Sequence, residues 1–231
     1  DVERSRGLGD VYKRQISFLK QTHAFTKGDF SGAFLQAGVA ELTMACCCLG
    51  MALHGGVIAA CATFFVFSDY MKPAVRMAAL MELPVKFIWT HDAFRVGEDG
   101  PTHEPVEQEA QIRLMEKLKN HHGRNSVLVL RPADAEETTV AWKLAMENVY
   151  TPTALILSRQ NINNLPAGND YTQAEKGGYI VAGSDQNPDV VLVATGSEVS
   201  TLVDGAKKLR EDGLKVRVVS VPSEGLFRTQ S

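Results

Sequence analysis

Cysteine is scarce and poorly spaced for either a metal centre or a disulfide framework. The 231-residue sequence holds four: Cys46, Cys47, Cys48 and Cys61. Three adjacent thiols cannot provide the spaced ligand pairs of a zinc site. Flanked by Met44, Ala45, Leu49 and Met51, they read as small buried hydrophobes of a reducing, cytoplasmic compartment. Neither sign of charge is in excess, with 24 basic against 27 acidic residues and a formal net charge of −3. That balance excludes a global electrostatic drive toward nucleic acid or an anionic membrane. No apolar run approaches the roughly 18 residues that a bilayer span needs. Three phosphate or nucleophile motifs are missing: G-x-G-x-x-G after a strand, the Walker A loop and G-x-S-x-G. At 45% apolar and 22% charged residues, the composition excludes a disordered chain, a coiled coil and a collagen-like repeat.

What is present is an alternation of short apolar runs with longer helical patterns. Strands are expected at 57–65, 85–90, 127–130, 154–157, 190–194 and 216–221, all rich in Val, Ile, Leu and Phe. Their lack of polar alternation is the pattern of strands buried on both faces. Helices are expected at 34–53, 70–83, 136–148 and 198–211. In the last, Ser197 is placed to cap the start, Gly213 follows the end, and Leu202, Ala206 and Leu209 share a face. The pattern implies an α/β fold, a parallel sheet flanked by helices in three layers. The stretch 161–186 is rich in Asn, Gly and Asp and reads as a linker. One domain is therefore expected over 16–165, a linker over 166–186, and a truncated second α/β domain over 187–231. Residues 1–15 carry charge without periodicity and no continuous apolar core of a signal peptide, so they read as a non-native leader.

The densest chemistry lies at 90–108, THDAFRVGEDGPTHEPVEQ, directly after an expected strand. Open α/β sheets place their ligands at the carboxyl ends of strands. Gly97, Gly100 and Pro101 break any helix there, and His91, Asp92, Glu98, Asp99 and His103 are presented by the loop. Two histidines suit proton transfer near neutrality or the binding of anionic oxygens; a solvated turn is the simpler reading. The spacing of His91, Asp99 and His103 fits no common metal motif, so no metal ligand is assigned. Gly97-Glu98-Asp99-Gly100 with a later Asn125 is a broken match to a diphosphate-binding Gly-Asp-Gly, because Glu98 interrupts the triplet. Aromatics at 64, 67 and 70 recur every three residues, so a helical or 3₁₀ turn gathers them on one side. Such a stripe is either core or a stacking pocket for a flat heterocycle. Glu41 is an isolated acid ahead of the run 44–49. It is either a carboxylate drawn into apolar surroundings, with a raised pKa, or an exposed first-turn glutamate. Ser158 and Arg159 follow the strand at 154–157, and an arginine there suits bidentate phosphate binding or a surface ion pair.

Taken together these segments resemble transketolase, in its pyrimidine-binding domain and the start of its C-terminal domain. The stretches that carry the resemblance are GVAELTM (38–44), GMALHGG (50–56), ATFFVFSDY (62–70), AVRMAALM (74–81), the loop 90–108, LRPADAEET (130–138), PTALILSRQN (152–161) and VATGSEV (193–199). Departures are Ala40 and Leu42 beside Glu41, where the family commonly has Arg and His or Phe, and Ala93-Phe94-Arg95 where Ser-Ile-Gly is common.

The resemblance implies thiamine diphosphate as cofactor, with Mg²⁺ or Ca²⁺ bound by an N-terminal domain that this chain lacks. It implies Glu41 against the aminopyrimidine ring nitrogen and Phe64, Phe67 and Tyr70 as the aromatic pocket. His103 would lie near the cofactor and the transferred unit, Asp99 would read a donor hydroxyl, and His91, Arg159 and Ser158 would hold the sugar phosphate. The implied activity is transfer of a two-carbon ketol unit from a ketose phosphate to an aldose phosphate in the pentose phosphate pathway. A cytoplasmic homodimer is implied, with the diphosphate-binding domain contributed by the opposite subunit, and the chain reads as an inactive fragment of it. The alternatives are a small subunit of a split transketolase and a non-catalytic interaction module of the same fold.

Overall fold

The apolar runs of the first sheet become short strands covered from both sides, whereas those expected at 190–194 and 216–221 are covered by a helix on one face only. A computed structural model describes residues 23–93, 95–183 and 186–230, with only the backbone at Glu98. The leader expected at 1–15, and Phe94, lie outside the described residues. Strands β1 (Ala60–Phe64), β2 (Lys86–Thr90), β3 (Leu128–Leu130) and β4 (Thr153–Ile156) form one parallel sheet in the order β1-β2-β4-β3. One cross-strand row runs Ala62, Ile88, Leu155, Leu130.

Alternation within β4 sorts the two faces. Ala154 and Ile156 enter a core with Phe65, Met71, Val75, Phe87 and Trp89, while Leu155 points to the other side with Leu130, Ala141 and Ala145. Helices α1 (Glu41–His54) and α2 (Ser68–Leu80) supply the first core, and α4 (Ala135–Glu147) supplies the second. This is the expected three-layer α/β arrangement. The helix α3 (Gln108–Lys117) connects β2 toward β3. A second sheet, in the order β5-β7-β6, joins β5 (Tyr179–Ala182), β6 (Val190–Ala194) and β7 (Val216–Ser220). Helix α5 (Glu198–Glu211) covers one face of it through Val199, Val203 and Ala206. On the other face Ile180, Val191 and Val193 are exposed. A short helix, α6 (Glu224–Phe227), follows β7. No helix among the described residues is long and apolar enough to cross a membrane.

Several local expectations change. Helix α1 starts at Glu41, not at 34, because Gly38 has φ +72° and Ala40, at φ −155° and ψ 65°, is not helical. Cys46 and Cys47 are exposed and only Cys48 and Cys61 are buried. Consecutive helix positions are about 100° apart, so three adjacent thiols cannot all face the core. Cys48 and Cys61 hydrogen-bond each other, which pushes the Cys61 thiol pKa up. Ser197 does not cap α5; its hydroxyl turns to Glu198 Oε1 at 3.1 Å. Gly213 ends the same helix as expected, at φ +85° with its N–H on the Arg210 carbonyl. The stretch 161–186 carries a 3₁₀ turn at Tyr171–Lys176 and all of β5, so part of the second sheet comes from the segment read as linker.

Lys86 opens β2 only 3% exposed, with its ammonium on the Asn148 carbonyl at 2.6 Å. Burial lowers its pKa to about 8. The unfolded chain therefore binds more protons than the folded one between pH 8 and the ordinary lysine range near 10.5. Stability is expected to rise with pH across that window. The charged form carries its full penalty below pH 8, on the order of 3 kcal/mol. Urea unfolding of Lys86→Met at pH 7 and pH 10.5 checks this: the variant should gain on the native chain at pH 7 and lose that advantage at pH 10.5.

Candidate active site

Each strand of the parallel sheet is entered from a helix running the opposite way. Helix amino termini and strand carboxyl termini therefore share one edge. Glu41, first residue of α1, reaches that edge, as do the ends of β1, β2 and β4. Phe64 closes β1, Phe65–Phe67 form a 3₁₀ turn, and Tyr70 sits in the first turn of α2. The tight turn stacks the three rings. Phe64 and Phe67 are 5.9 Å apart at 13°, and Phe67 and Tyr70 are 6.0 Å apart at 23°. The stripe climbs from the core to the surface, from Phe64 at 7% exposure to Tyr70 at 61%. Phe65, not part of the three-residue spacing, is the core ring, stacked 5.7 Å from Trp89.

The loop after β2 lies against this stripe. The His103 ring meets Phe67 edge-on at 5.3 Å and Phe64 at 6.1 Å, and its Nδ1 is 2.8 Å from the Thr102 hydroxyl. His91 is 1% exposed, its ring stacked on Phe64 at 3.7 Å and its Nδ1 2.9 Å from the Thr90 hydroxyl. Its backbone is left-handed at φ +63°. Such a conformation costs a non-glycine residue roughly 1–2 kcal/mol and concentrates at functional sites. Asp99 ends the 3₁₀ turn Gly97–Asp99 and is exposed. Gly97, at φ +86°, leaves space that Arg159 fills: a β-carbon there would lie 3.4 Å from the guanidinium carbon. The loop of β2 and the end of β4 are thereby joined. Ser158 donates to the Gln160 carbonyl at 3.0 Å, which fixes the turn that carries Arg159.

Gly97→Ala should cost about 1 kcal/mol through its left-handed backbone and bring a methyl group into contact with the Arg159 guanidinium. Urea unfolding measures the first, and a changed rate of Arg159 modification by a guanidine-directed reagent measures the second.

Glu41 is half-buried at the start of its helix, the position favoured by the dipole, rather than enclosed among apolar residues. The edge thus gathers Phe64, Phe67, Tyr70, His91 and His103 by ring contact and Arg159 through Gly97, while Glu41, at the start of α1, and Asp99, at the end of its 3₁₀ turn, stand outside that ring cluster.

Sequence reasoning misses the group that holds the loop in place. Arg131, 4% exposed at the end of β3, donates to Asp92 Oδ2 from Nε (3.2 Å) and Nη2 (3.0 Å), and to Glu109 Oε2 at 3.1 Å. It also pairs with Glu198 Oε2 at 2.6 Å and donates to the Thr195 carbonyl at 3.3 Å. Burial pulls its pKa down, but Glu109, Asp92 and Glu198 outweigh that and hold it above the ordinary arginine value. The four charged residues line a pocket of about 290 Å³ that excludes the aromatic stripe. Gln108 is the other anchor. It is 2% exposed, accepts from the Val106 N–H at 2.9 Å and donates to Asp69 at 2.9 Å, beside Tyr70. An Arg directly after a strand was the only sequence signal for the first; nothing local marks the second.

The open π-surface of Phe67 and Tyr70, with a carboxylate and an imidazole on the same edge, suits a flat, nitrogen-bearing ring. It does not suit a diphosphate with its metal ion. The acids closest to the stripe in sequence are already engaged, Asp69 with Lys72 and Gln108, and Asp92 with Arg131.

The family model described as transketolase, pyrimidine binding domain, matches residues 14–164, and the transketolase-like C-terminal domain model matches 177–231. The chain is 46% identical over 227 residues to a transketolase of Halalkalibacterium halodurans and 44% identical over 228 residues to that of Bacillus subtilis. Each alignment covers 97% of this chain and 33% of the relative, so the chain spans about a third of the length of these curated proteins. Among solved structures, a Pichia stipitis transketolase in complex with sedoheptulose 7-phosphate superposes with a TM-score of 0.82 at 40% identity, covering 92% of this chain and 31% of that one. A split-gene transketolase described as an inactive β4 tetramer gives 0.65 at 28% identity, covering 82% of this chain and 57% of that one.

Proposed function

Because the chain belongs to the transketolase family, we propose that it supplies the aminopyrimidine-facing half of a ketol-transferring site. In the assembled enzyme a two-carbon unit passes from a ketose phosphate to an aldose phosphate. The observation that carries this reading is the graded ring stack Phe64–Phe67–Tyr70 with His103 set edge-on against it. When bound, thiamine diphosphate would supply a carbon nucleophile and an electron sink for breaking and making the bond beside a ketone.

The chain's own residues do the rest. Phe67 and Tyr70 stack against the aminopyrimidine and keep water from it, with Phe64 closing the pocket floor. Glu41 shares a proton with the ring nitrogen through a carboxylate oxygen. The Thr102 contact at Nδ1 leaves Nε2 of His103 to hydrogen-bond the transferred unit. The exposed Asp99 carboxylate accepts from a donor hydroxyl. Arg159, with Ser158 at its side, binds the sugar phosphate through its guanidinium fork. His91, buried and stacked on Phe64, is the less accessible phosphate ligand.

The diphosphate and its Mg²⁺ or Ca²⁺ are assigned to a different portion of the enzyme, carried by a second subunit of a homodimer or by a separate chain. The likeness to a split-gene transketolase supports the two-chain form. The test is reconstitution. The purified 231-residue chain should show no ketol transfer between xylulose 5-phosphate and ribose 5-phosphate. Addition of a diphosphate-binding portion from a transketolase should restore it. Transfer by the chain alone overturns the division of labour, and a stable but inactive complex overturns the proposed function.

A further inference from the structure

The sheet's opposite edge, remote from the aromatic stripe, carries a separate constellation. Glu82 lies in the turn from α2 into β2, and His121 and His122 lie in the turn from α3 into β3. Both turns precede their strands, so both sit at the amino-terminal edge. Glu82 Oε1 is 2.8 Å from His122 Nδ1 and 3.6 Å from His121 Nε2. One ligand atom from each of the three residues lies within 4.8 Å of the other two. A tetrahedral Zn²⁺ with bonds of about 2.0–2.2 Å sets its ligand atoms roughly 3.3–3.5 Å apart. The two measured separations straddle that span.

The backbone under these three side chains is fixed from both sides. Glu82 is left-handed at φ +53°, held where the Leu83 N–H returns to the Ala78 carbonyl at 2.9 Å. A glutamate in that conformation costs roughly 1–2 kcal/mol. The histidine turn is tied by Asn120, whose side-chain oxygen accepts from the N–H groups of His122 (3.1 Å) and Arg124 (2.9 Å). Gly123 supplies the left-handed step at φ +76°, and Lys119 and Asn125 bridge across the base. The two imidazole rings are held 4.5 Å apart. Arg124 is the neighbouring cation that would oppose a metal, and its guanidinium lies 4.0 Å over the Tyr150 ring.

We propose that Glu82, His121 and His122 form a surface site for one borderline divalent transition metal of the Zn²⁺ class, which clamps the α2–β2 turn to the α3–β3 turn. Two imidazoles and one carboxylate favour Zn²⁺, Co²⁺ or Ni²⁺ over Mg²⁺ or Ca²⁺, which prefer all-oxygen shells. Both histidines are largely exposed, so water completes the coordination. The site is independent of the transfer chemistry, because it shares no residue with the other edge.

The experiment uses the untagged chain with Co²⁺ and Zn²⁺ as probes. Co²⁺ should bind at one equivalent and give visible ligand-field bands without the sulfur-to-metal charge transfer that the exposed Cys46 and Cys47 would produce. Zn²⁺ should displace it and raise the melting temperature. Glu82→Gln should weaken Zn²⁺ binding by on the order of tenfold, and His121→Ala with His122→Ala should abolish it. These side chains lie on exposed turns, and circular dichroism of each variant confirms its fold. Charge-transfer bands, no binding by the native chain, or unchanged binding by the double variant would each overturn the site.

Discussion

Replacing Arg131 by Ala should cost the chain roughly 3–5 kcal/mol of folding stability. The size comes from what is left behind. Asp92 keeps a side chain only 2% exposed and loses its paired donors at 3.2 and 3.0 Å. Glu109 and Glu198, both about 30% exposed, lose the same partner and are left facing each other across an acidic pocket. Deleting one partner of a buried ion pair costs far more than the pair itself contributes, because an uncompensated charge remains. The alanine variant keeps the main-chain bonds of this position, the N–H on the Pro222 carbonyl and the carbonyl on the Gly196 N–H, so the loss is confined to the side-chain network. Those contacts join the first sheet to the elements around the second. Arg131→Lys restores charge without the planar fork and should recover only part of the stability. Guanidinium unfolding of the three chains measures this. A deficit below about 1 kcal/mol for the alanine variant, the range of an exposed pair, would show that the network is a surface ornament.

Glu41→Gln should instead leave the fold nearly intact and remove the reaction. Gln preserves the shape of the side chain but cannot take up or release a proton at its terminal oxygen. In the reconstituted enzyme, kcat for ketol transfer should fall by about 10²–10⁴-fold, with KM for the sugar phosphates little changed. Stability should fall by only about 0.3–1 kcal/mol, since a half-buried first-turn carboxylate contributes chiefly through the helix dipole. Steady-state kinetics with a unfolding curve on the same preparation separates the two effects. A loss of activity smaller than about tenfold would remove Glu41 from the proton path.

The sheet was legible in the sequence for one reason: its strands are buried on both faces and therefore read as unbroken apolar runs. In the second sheet β6 also matches its expected bounds of 190–194, although Val191 and Val193 leave one face exposed, and α5 matches 198–211. Helix α3 was not legible, because two of its three buried positions are Gln108 and Glu116, which erase the apolar stripe. β5 was hidden for a related reason: four residues in a Gly- and Asn-rich stretch give no periodicity to read. At the site, the three-residue spacing of Phe64, Phe67 and Tyr70 carried its own geometry into space. Arg131 could not be read the same way. Its partners come from the β2 loop, α3, the turn after β6 and α5, and only the fold brings them together. The cysteine run shows the converse error, since composition suggested burial where helical phase forbade it.

The strand order has a consequence for how the chain is made. Among the described residues β3 borders only β4, and β4 follows it in sequence. During synthesis Leu128–Leu130 therefore emerges with no strand to pair with, while β1 and β2 can already zip together. About 26 further residues must be added before Ile156 completes the missing neighbour, a wait of roughly 1–5 s at typical elongation rates. Helix α4, made within that interval, can shield Leu130 through Ala141 and Ala145 before the ladder closes. A ribosome stalled between β3 and β4 should thus display a half-built sheet with one orphan strand, open to capture by a chaperone.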